Sequence, residues 1–318
     1  MKVLILKPQY KEKIWGGSFF RDAIDPSLAG NIGEMWIVSA HAAGDLRIAA
    51  GPCAGMRLSE FYSANPDFFN YPAGAAFPLL LKIIAPADDL SVQVHPDDLY
   101  AQARENDSGK TEGWLILRAG PEGRIVYGHK AADGEEFFRK AAKTGFEGLL
   151  ARRRARRGDF YPIPAGTVHA AGRDIVFLEI QQSSDLTYRI YDYDCLDDKG
   201  SPRTLHLEKA REVIKNRAIQ PKSDLFSSAE TEVELWENNH FRAVLINVSG
   251  GYTFPKTSFA AAAAVIEGRV KIDGRPLEFG SGFILPARVS GIAAEGRGRI
   301  VLATPKFALN ANKSSNLP

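Results

Sequence analysis

Two stretches of this chain repeat one another at a fixed offset. Gly158, followed after five residues by Pro164-Ala-Gly-Thr-Val-His169, is matched by Gly280, followed after five residues by Pro286-Ala-Arg-Val-Ser-Gly291, and the offset is 122 residues throughout (280 − 158, 286 − 164, 291 − 169). A glycine, a short run and a proline-led turn make a strand-turn unit, and its recurrence at one spacing implies two copies of one β architecture. The histidine that ends the first copy is replaced by Gly291 in the second. Any ligand held at this turn therefore belongs to the first copy, and the second is expected to be structural or to shape one rim of a cleft.

Upstream, Leu90-Ser-Val-Gln-Val-His-Pro-Asp-Asp98 reads as an alternating strand running into a helix start. In a strand, residues two apart share a face, so Ser91, Gln93 and His95 point one way while Val92 and Val94 point the other. That polar row is either solvated or the wall of a cavity, because buried polar groups without partners are costly. Gly109-Lys-Thr-Glu-Gly-Trp114 then offers Lys110 and Glu112 at the mouth of an apolar strand, a pattern that on its own also fits a surface loop. His95, His169 and Glu112 together are hard or borderline donors that suit zinc, and also manganese or iron. Two further strands carry unusual charges. Phe77–Ala85 is apolar except for Lys82, which must either meet an anion, shift its pKa or reach an edge. In Ser183–Tyr193, period two places Asp185, Thr187, Arg189 and Tyr191 on one face, either half-exposed or lining a cavity that displays Arg189.

At 318 residues, 45% hydrophobic and 25% charged, the chain is globular rather than disordered. A net charge of +2 supplies no global field for nucleic acid or an anionic membrane, so anion selectivity must be local. The apolar run within Met1–Lys7 is too short for a signal-peptide core, and no stretch is long enough for a membrane span. Cys53 and Cys195 read as unpaired thiols, and a cytoplasmic protein is expected. Residues 135–157 read as a helix whose basic tail, Arg152–Arg157, lies at its solvated C-terminal end. A short helix over 206–217 and a polar connector over 218–228 suggest a boundary near 225. The expected domains are a catalytic unit over 1–225, with a small helical insertion near 135–157, and a metal-free unit over 226–318.

The spacing Gly158-(five)-Pro-x-Gly-x-x-His169 resembles the second cupin motif, with Arg173 where that motif usually has Asn. Phe77-Pro-Leu-Leu-Leu-Lys82, Ser91-Val-Gln-Val-His-Pro96, Lys110-Thr-Glu112, Pro164–Ala170 and Gln181–Tyr193 resemble, in order, segments of the type I phosphomannose isomerases. The resemblance spans most of residues 1–210. It implies a mainly β fold of two cupin-type jelly-roll barrels with a few short helices. It also implies one zinc per chain held by Gln93, His95, Glu112 and His169, and interconversion of mannose 6-phosphate and fructose 6-phosphate through a cis-enediol. Carried over from family positions, Lys110 and Glu179 handle protons, Arg189 stabilises the oxyanion or opens the ring, and Lys82 tunes local electrostatics. Ser91 and Arg189 are candidates for the phosphate. The expected partner is a small-molecule sugar phosphate, with no nucleic acid, no membrane, and a monomeric chain.

Two other readings use the same scaffold. A cupin oxygenase would hold iron, but its first motif normally supplies His-x-His where this chain has Gln93-Val-His95. A sugar-binding regulatory cupin needs neither Lys110 nor Arg189 and usually brings a DNA-binding helix pair, of which the sequence shows no sign.

Overall fold

The computed structural model describes residues 3–197, 199–215 and 218–307. The chain is built of antiparallel sheets with short helices between strands. A six-stranded sheet runs in the order Phe160–Ile163, Glu112–Ala119, Ile175–Gln182, Leu79–Ile84, Ile32–Val38, Gln9–Gly17. A five-stranded sheet runs Tyr188–Tyr191, Val92–Val94, His169–Ala171, Arg124–His129, Leu150–Arg154. Between them lies a core of Trp15, Trp114, Tyr127, Tyr161 and Phe177.

The alternation at residues 91–95 sets which face of the five-stranded sheet looks inward. Val92 and Val94 are fully buried beneath the helices Gly134–Thr144 and Leu207–Val213, against Phe137, Phe138 and Ala210. Gln93 and His95 consequently face the six-stranded sheet.

The remaining strands form an eight-stranded sheet: Glu232–Glu237, Phe241–Thr253, Ala293–Pro305, Ala261–Ile272, Gly282–Leu285, Leu4–Lys7 and Arg47–Ile48, with Arg275–Glu278 hairpinned onto Ala261–Ile272. One cluster inside it is hydrocarbon throughout, including Ile246, Phe254, Ala261, Ala263, Phe283 and Leu285. The other face joins Leu245, Ala262 and Ile284 to Leu81, Leu115 and Leu178 of the six-stranded sheet, so the units share one continuous core. Leu4–Lys7 comes from the start of the chain yet pairs with Gly282–Leu285, Leu4 opposite Ile284.

The repeat seen in the sequence is also a repeat of backbone. The strands Phe160–Ile163 and Gly282–Leu285 are themselves 122 residues apart, and Gly158 and Gly280 have φ of 88° and 83°. Ile163 lies opposite Glu112 on its partner strand, and Leu285 lies opposite Ala261. The carboxylate of the first unit is thus a methyl group in the second.

The helix expected over 135–157 is shorter than its pattern suggested. It spans Gly134–Thr144 and stops at Gly145, whose φ of 75° suits glycine. The arginines that follow do not cap it. Leu150–Arg154 is the edge strand of the five-stranded sheet, with Arg152, Arg153 and Arg154 exposed, and charge on an edge discourages pairing with another chain. Cys53 and Cys195 are free thiols. Among the described residues no helix is long and apolar enough to cross a membrane. Residues 308–318 of the expected second domain, and 216–217 of the expected helix over 206–217, lie outside the described residues.

Candidate active site

Cross-strand register assembles the site from rows of side chains. In the five-stranded sheet Arg189 lies opposite Gln93, Gln93 opposite His169, and His169 opposite Tyr127. Directly paired residues share a face, so these four side chains form one row, with His95 two residues beyond Gln93 on the same side. In the six-stranded sheet Trp114 lies opposite Glu179, Glu179 opposite Lys82 and Lys82 opposite Trp36, with Glu112 two residues before Trp114. The two rows face each other across the barrel.

Three potential metal ligands meet where the rows converge. His95 Nε2 lies 3.4 Å from Glu112 Oε2, and His169 Nε2 lies 3.2 Å from Glu112 Oε1, with every one of these side chains fully buried. One ligand atom from each residue fits within a 4.8 Å span. His169 Nδ1 is 2.9 Å from the Thr167 carbonyl oxygen, which selects the tautomer protonated at Nδ1 and leaves Nε2 a lone pair aimed inward. Neither His95 Nε2 nor His169 Nε2 has a hydrogen-bond partner. Burial, followed by the neighbouring Lys110 ammonium, pushes the His95 imidazole down to about 3, so it is neutral and able to ligate. The Glu112 carboxyl is buried, yet the Lys110 ammonium holds it well below the usual carboxylate range. Two buried imidazoles and a buried carboxylate, with one ligand atom from each inside this span, fit a divalent cation. Gln93 is half-buried beside His169 in the same row.

A chain of alternating charge leads away from this cluster. Lys110 Nζ is 3.0 Å from Glu112 Oε2 and 3.9 Å from Glu179 Oε1. Glu179 Oε1 is 3.1 Å from Lys82 Nζ, and Trp114 Nε1 donates to Glu179 Oε2 at 2.9 Å. Beyond Lys82, Trp36 Nε1 donates to Glu34 Oε2 at 2.7 Å, and Lys13 closes the chain 3.2 Å from Glu34 Oε1. Burial opposes the Lys82 charge, but Glu179 and Glu34 outweigh it and the ammonium is held above its usual range. Lys82 thus takes the first of the options open to a buried lysine, a meeting with anions.

Arg189 is half-buried, opposite Gln93 in the same row. Its Nη1 donates to the Thr204 carbonyl at 2.8 Å, while Nε is buried without a hydrogen-bond partner, 3.9 Å from Asp192 Oδ1. Asp192 is claimed by Arg203, whose Nε donates to it at 2.6 Å. Burial and the charge of Arg203 pull the Arg189 guanidinium below its ordinary value. Ser91 is buried one residue before the Gln93 strand. Asp185 is exposed, at the outer end of the segment that carries Arg189.

Glu34, Trp36 and Trp114 were not among the candidate site residues. Glu34 carries the same mark that drew attention to Lys82, one charge inside an apolar strand, here Ile32–Val38, all of it buried.

Residues 3–112 match the family model "Phosphomannose isomerase type I, catalytic domain". The chain is 39% identical over 312 residues to the probable mannose-6-phosphate isomerase GmuF of Bacillus subtilis, covering 95% of this chain and 99% of that protein. The crystal structure of the mannose 6-phosphate isomerase from Bacillus subtilis superposes with a TM-score of 0.85 at 34% identity, over 96% of this chain and 100% of that one. A zinc-bound mannose 6-phosphate isomerase shares the fold at a TM-score of 0.74 and 16% identity, over 96% of this chain and 100% of that one. With near-complete coverage at this identity, the chain is an isomerase that belongs to the type I phosphomannose isomerase family.

Proposed function

We propose that the protein interconverts mannose 6-phosphate and fructose 6-phosphate through a cis-enediol, with one zinc held by Gln93, His95, Glu112 and His169. The observation that carries this reading is the convergence of unpartnered His95 and His169 nitrogens on Glu112, one ion pair away from Lys110. The relatives are named for this isomerisation, and a zinc-bound neighbour has the same fold. When bound, the metal supplies a Lewis acid beside the sugar oxygens.

The reaction moves a proton between C1 and C2, which needs a group to take and return it and a donor for the developing oxyanion. Lys110 and Glu179 handle the proton in this reading. Glu179 is held rigid by Trp114 and Lys82, and Lys110 bridges it to Glu112. Lys82 offsets the buried charges of Glu179 and Glu34. Arg189, opposite Gln93 on the facing sheet and with an Nε–H that makes no hydrogen bond, is the oxyanion donor, or the group that opens the sugar ring. Ser91, with Arg189, is a candidate for the phosphate.

The division at about residue 225, a monomeric state and a cytoplasmic location complete the proposal. A coupled assay on mannose 6-phosphate, run beside metal analysis of the same preparation, tests it. Turnover that tracks zinc content is expected. A zinc-loaded, folded protein without turnover would overturn the reading.

A further inference from the structure

The segment that delivers Lys110 and Glu112 is an irregular stretch between a helix and a strand, and a catalytic lysine on such a segment needs something to hold it. The backbone N–H groups on either side of Lys110 are both captured by side chains. Gly109 N–H donates to Asp98 Oδ1 at 2.8 Å, and Thr111 N–H donates to Gln182 Oε1 at 2.9 Å. The two captors are joined, because Gln182 Nε2 donates to the same Asp98 oxygen at 2.9 Å. The amide of Lys110 itself donates to the Pro96 carbonyl at 3.0 Å.

The approach is close. A Cβ on Gly109 would lie 2.4 Å from the Asp98 backbone nitrogen and 2.5 Å from the Asp97 carbonyl carbon, so this face of the segment is pressed onto the first turn of the helix Asp98–Glu105. Thr111 extends the arrangement by accepting from Ala165 N–H at 3.3 Å, in the turn that leads to His169. On the outer side, His240 Nδ1 of the second unit stands 3.6 Å from Asp98 Oδ2. None of Asp98, Gln182 and His240 touches the cluster of potential metal ligands directly.

We propose that Asp98 and Gln182 are positioning residues that fix the register of residues 109–111 and so aim the Lys110 ammonium at Glu112 and Glu179. The proposal rests on the isomerase reading for its effect on turnover, but not for its effect on the segment itself. A misplacement of about 1 Å at a catalytic group costs up to about a hundredfold in rate.

The test compares Asp98→Ala, Asp98→Asn and Gln182→Met in the zinc-loaded full chain. Asparagine keeps an acceptor oxygen for Gly109 and Gln182, whereas alanine removes it, and methionine keeps the bulk of Gln182 without its polar atoms. Asp98→Ala and Gln182→Met are expected to lower kcat on mannose 6-phosphate at least tenfold, with KM changed less than threefold, zinc retained and the melting temperature close to that of the wild type. Asp98→Asn should recover most of the loss. Independently of activity, hydrogen exchange of the peptide spanning residues 107–112 should speed up in the first two variants and not in the third. If Asp98→Asn fails as badly as Asp98→Ala, or if exchange of that peptide is unchanged in Asp98→Ala and Gln182→Met, the positioning role is wrong. A wild type without turnover but with variant-dependent exchange would overturn the isomerase reading and leave the positioning of the segment standing.

Discussion

Gly166 and Arg288 occupy the same place in turns 122 residues apart, and both have left-handed backbones, with φ of 90° and 59°. For glycine that conformation carries no steric penalty, whereas a side chain there costs about 1 kcal/mol. Arg288→Gly is therefore expected to raise the melting temperature by roughly 2 °C, with zinc content and turnover unchanged. Gly166→Ala should do the opposite. Its Cβ would lie 2.8 Å from the Val213 carbonyl oxygen and 2.9 Å from Lys215 Cβ, three residues before His169, so both stability and zinc retention should fall. Differential scanning calorimetry with metal analysis reads both variants, and a lower melting temperature for Arg288→Gly would contradict the assignment of strain.

The ligand cluster predicts the metal stoichiometry. Purified protein should carry about one zinc per chain, and His95→Ala and His169→Ala should each lose it, because each removes one of the two inward-facing imidazoles. In the second unit Ala261 stands opposite Leu285 as Glu112 stands opposite Ile163, and Gly291 replaces the histidine. A second zinc equivalent in the wild type, or full activity of either histidine variant in chelator, is incompatible with this site.

Arg189 is expected to act on turnover. Loss of one preorganised donor to a developing oxyanion typically costs about a hundred- to a thousandfold in rate. Arg189→Ala should retain zinc and the melting transition while losing most proton exchange at C2 of mannose 6-phosphate. Arg189→Lys should rescue poorly, since an ammonium cannot reproduce the planar fork. If KM alone rises, Arg189 serves the phosphate instead.

Glu34 gives the protein a defined acid sensitivity. Burial opposes its charge, but Lys82, Lys13 and the Trp36 N–H hold its carboxyl at about 2, against an ordinary value of 4.5. A depressed carboxyl stabilises the fold fully above its unfolded value, and that contribution is lost as pH falls from about 4.5 towards 2. At neutral pH it amounts to about 3 kcal/mol. In urea titrations Glu34→Gln should therefore be less stable than the wild type at pH 7, and the difference should shrink steadily below pH 4.5. A difference independent of pH would mean that the carboxylate charge is not what stabilises this region.

The parts of the site that were legible in the sequence are those carried by short-range spacing. The shared face of Gln93 and His95 follows from strand alternation, His169 at the turn from the Pro-x-Gly spacing, and Lys82 from one charge in an apolar run, while the ligand and catalytic roles came only with the family resemblance. Glu34 lies 48 residues before Lys82 (82 − 34) and meets it only because two strands pair, which no local pattern reports. Asp98 read as part of a helix start, and its bonds to Gly109 and Gln182 arise from tertiary approach. The run at Arg152–Arg154 misled because charged residues suit a helix end and an edge strand equally well. The choice between them was made by Gly145 and by the open edge of Arg124–His129.

The pairing of Leu4 with Ile284 bears on how the chain is made. Closing that contact joins residues 280 positions apart (284 − 4), so Leu4 has no partner until the whole intervening chain has been made. Until then Val3, Leu4 and Leu6, all buried in the finished fold, have no second-unit strand to cover them. Contacts of such long sequence separation form late and slowly. The seam between Leu4–Lys7 and Gly282–Leu285 therefore stays open while most of the strands between them can already pair.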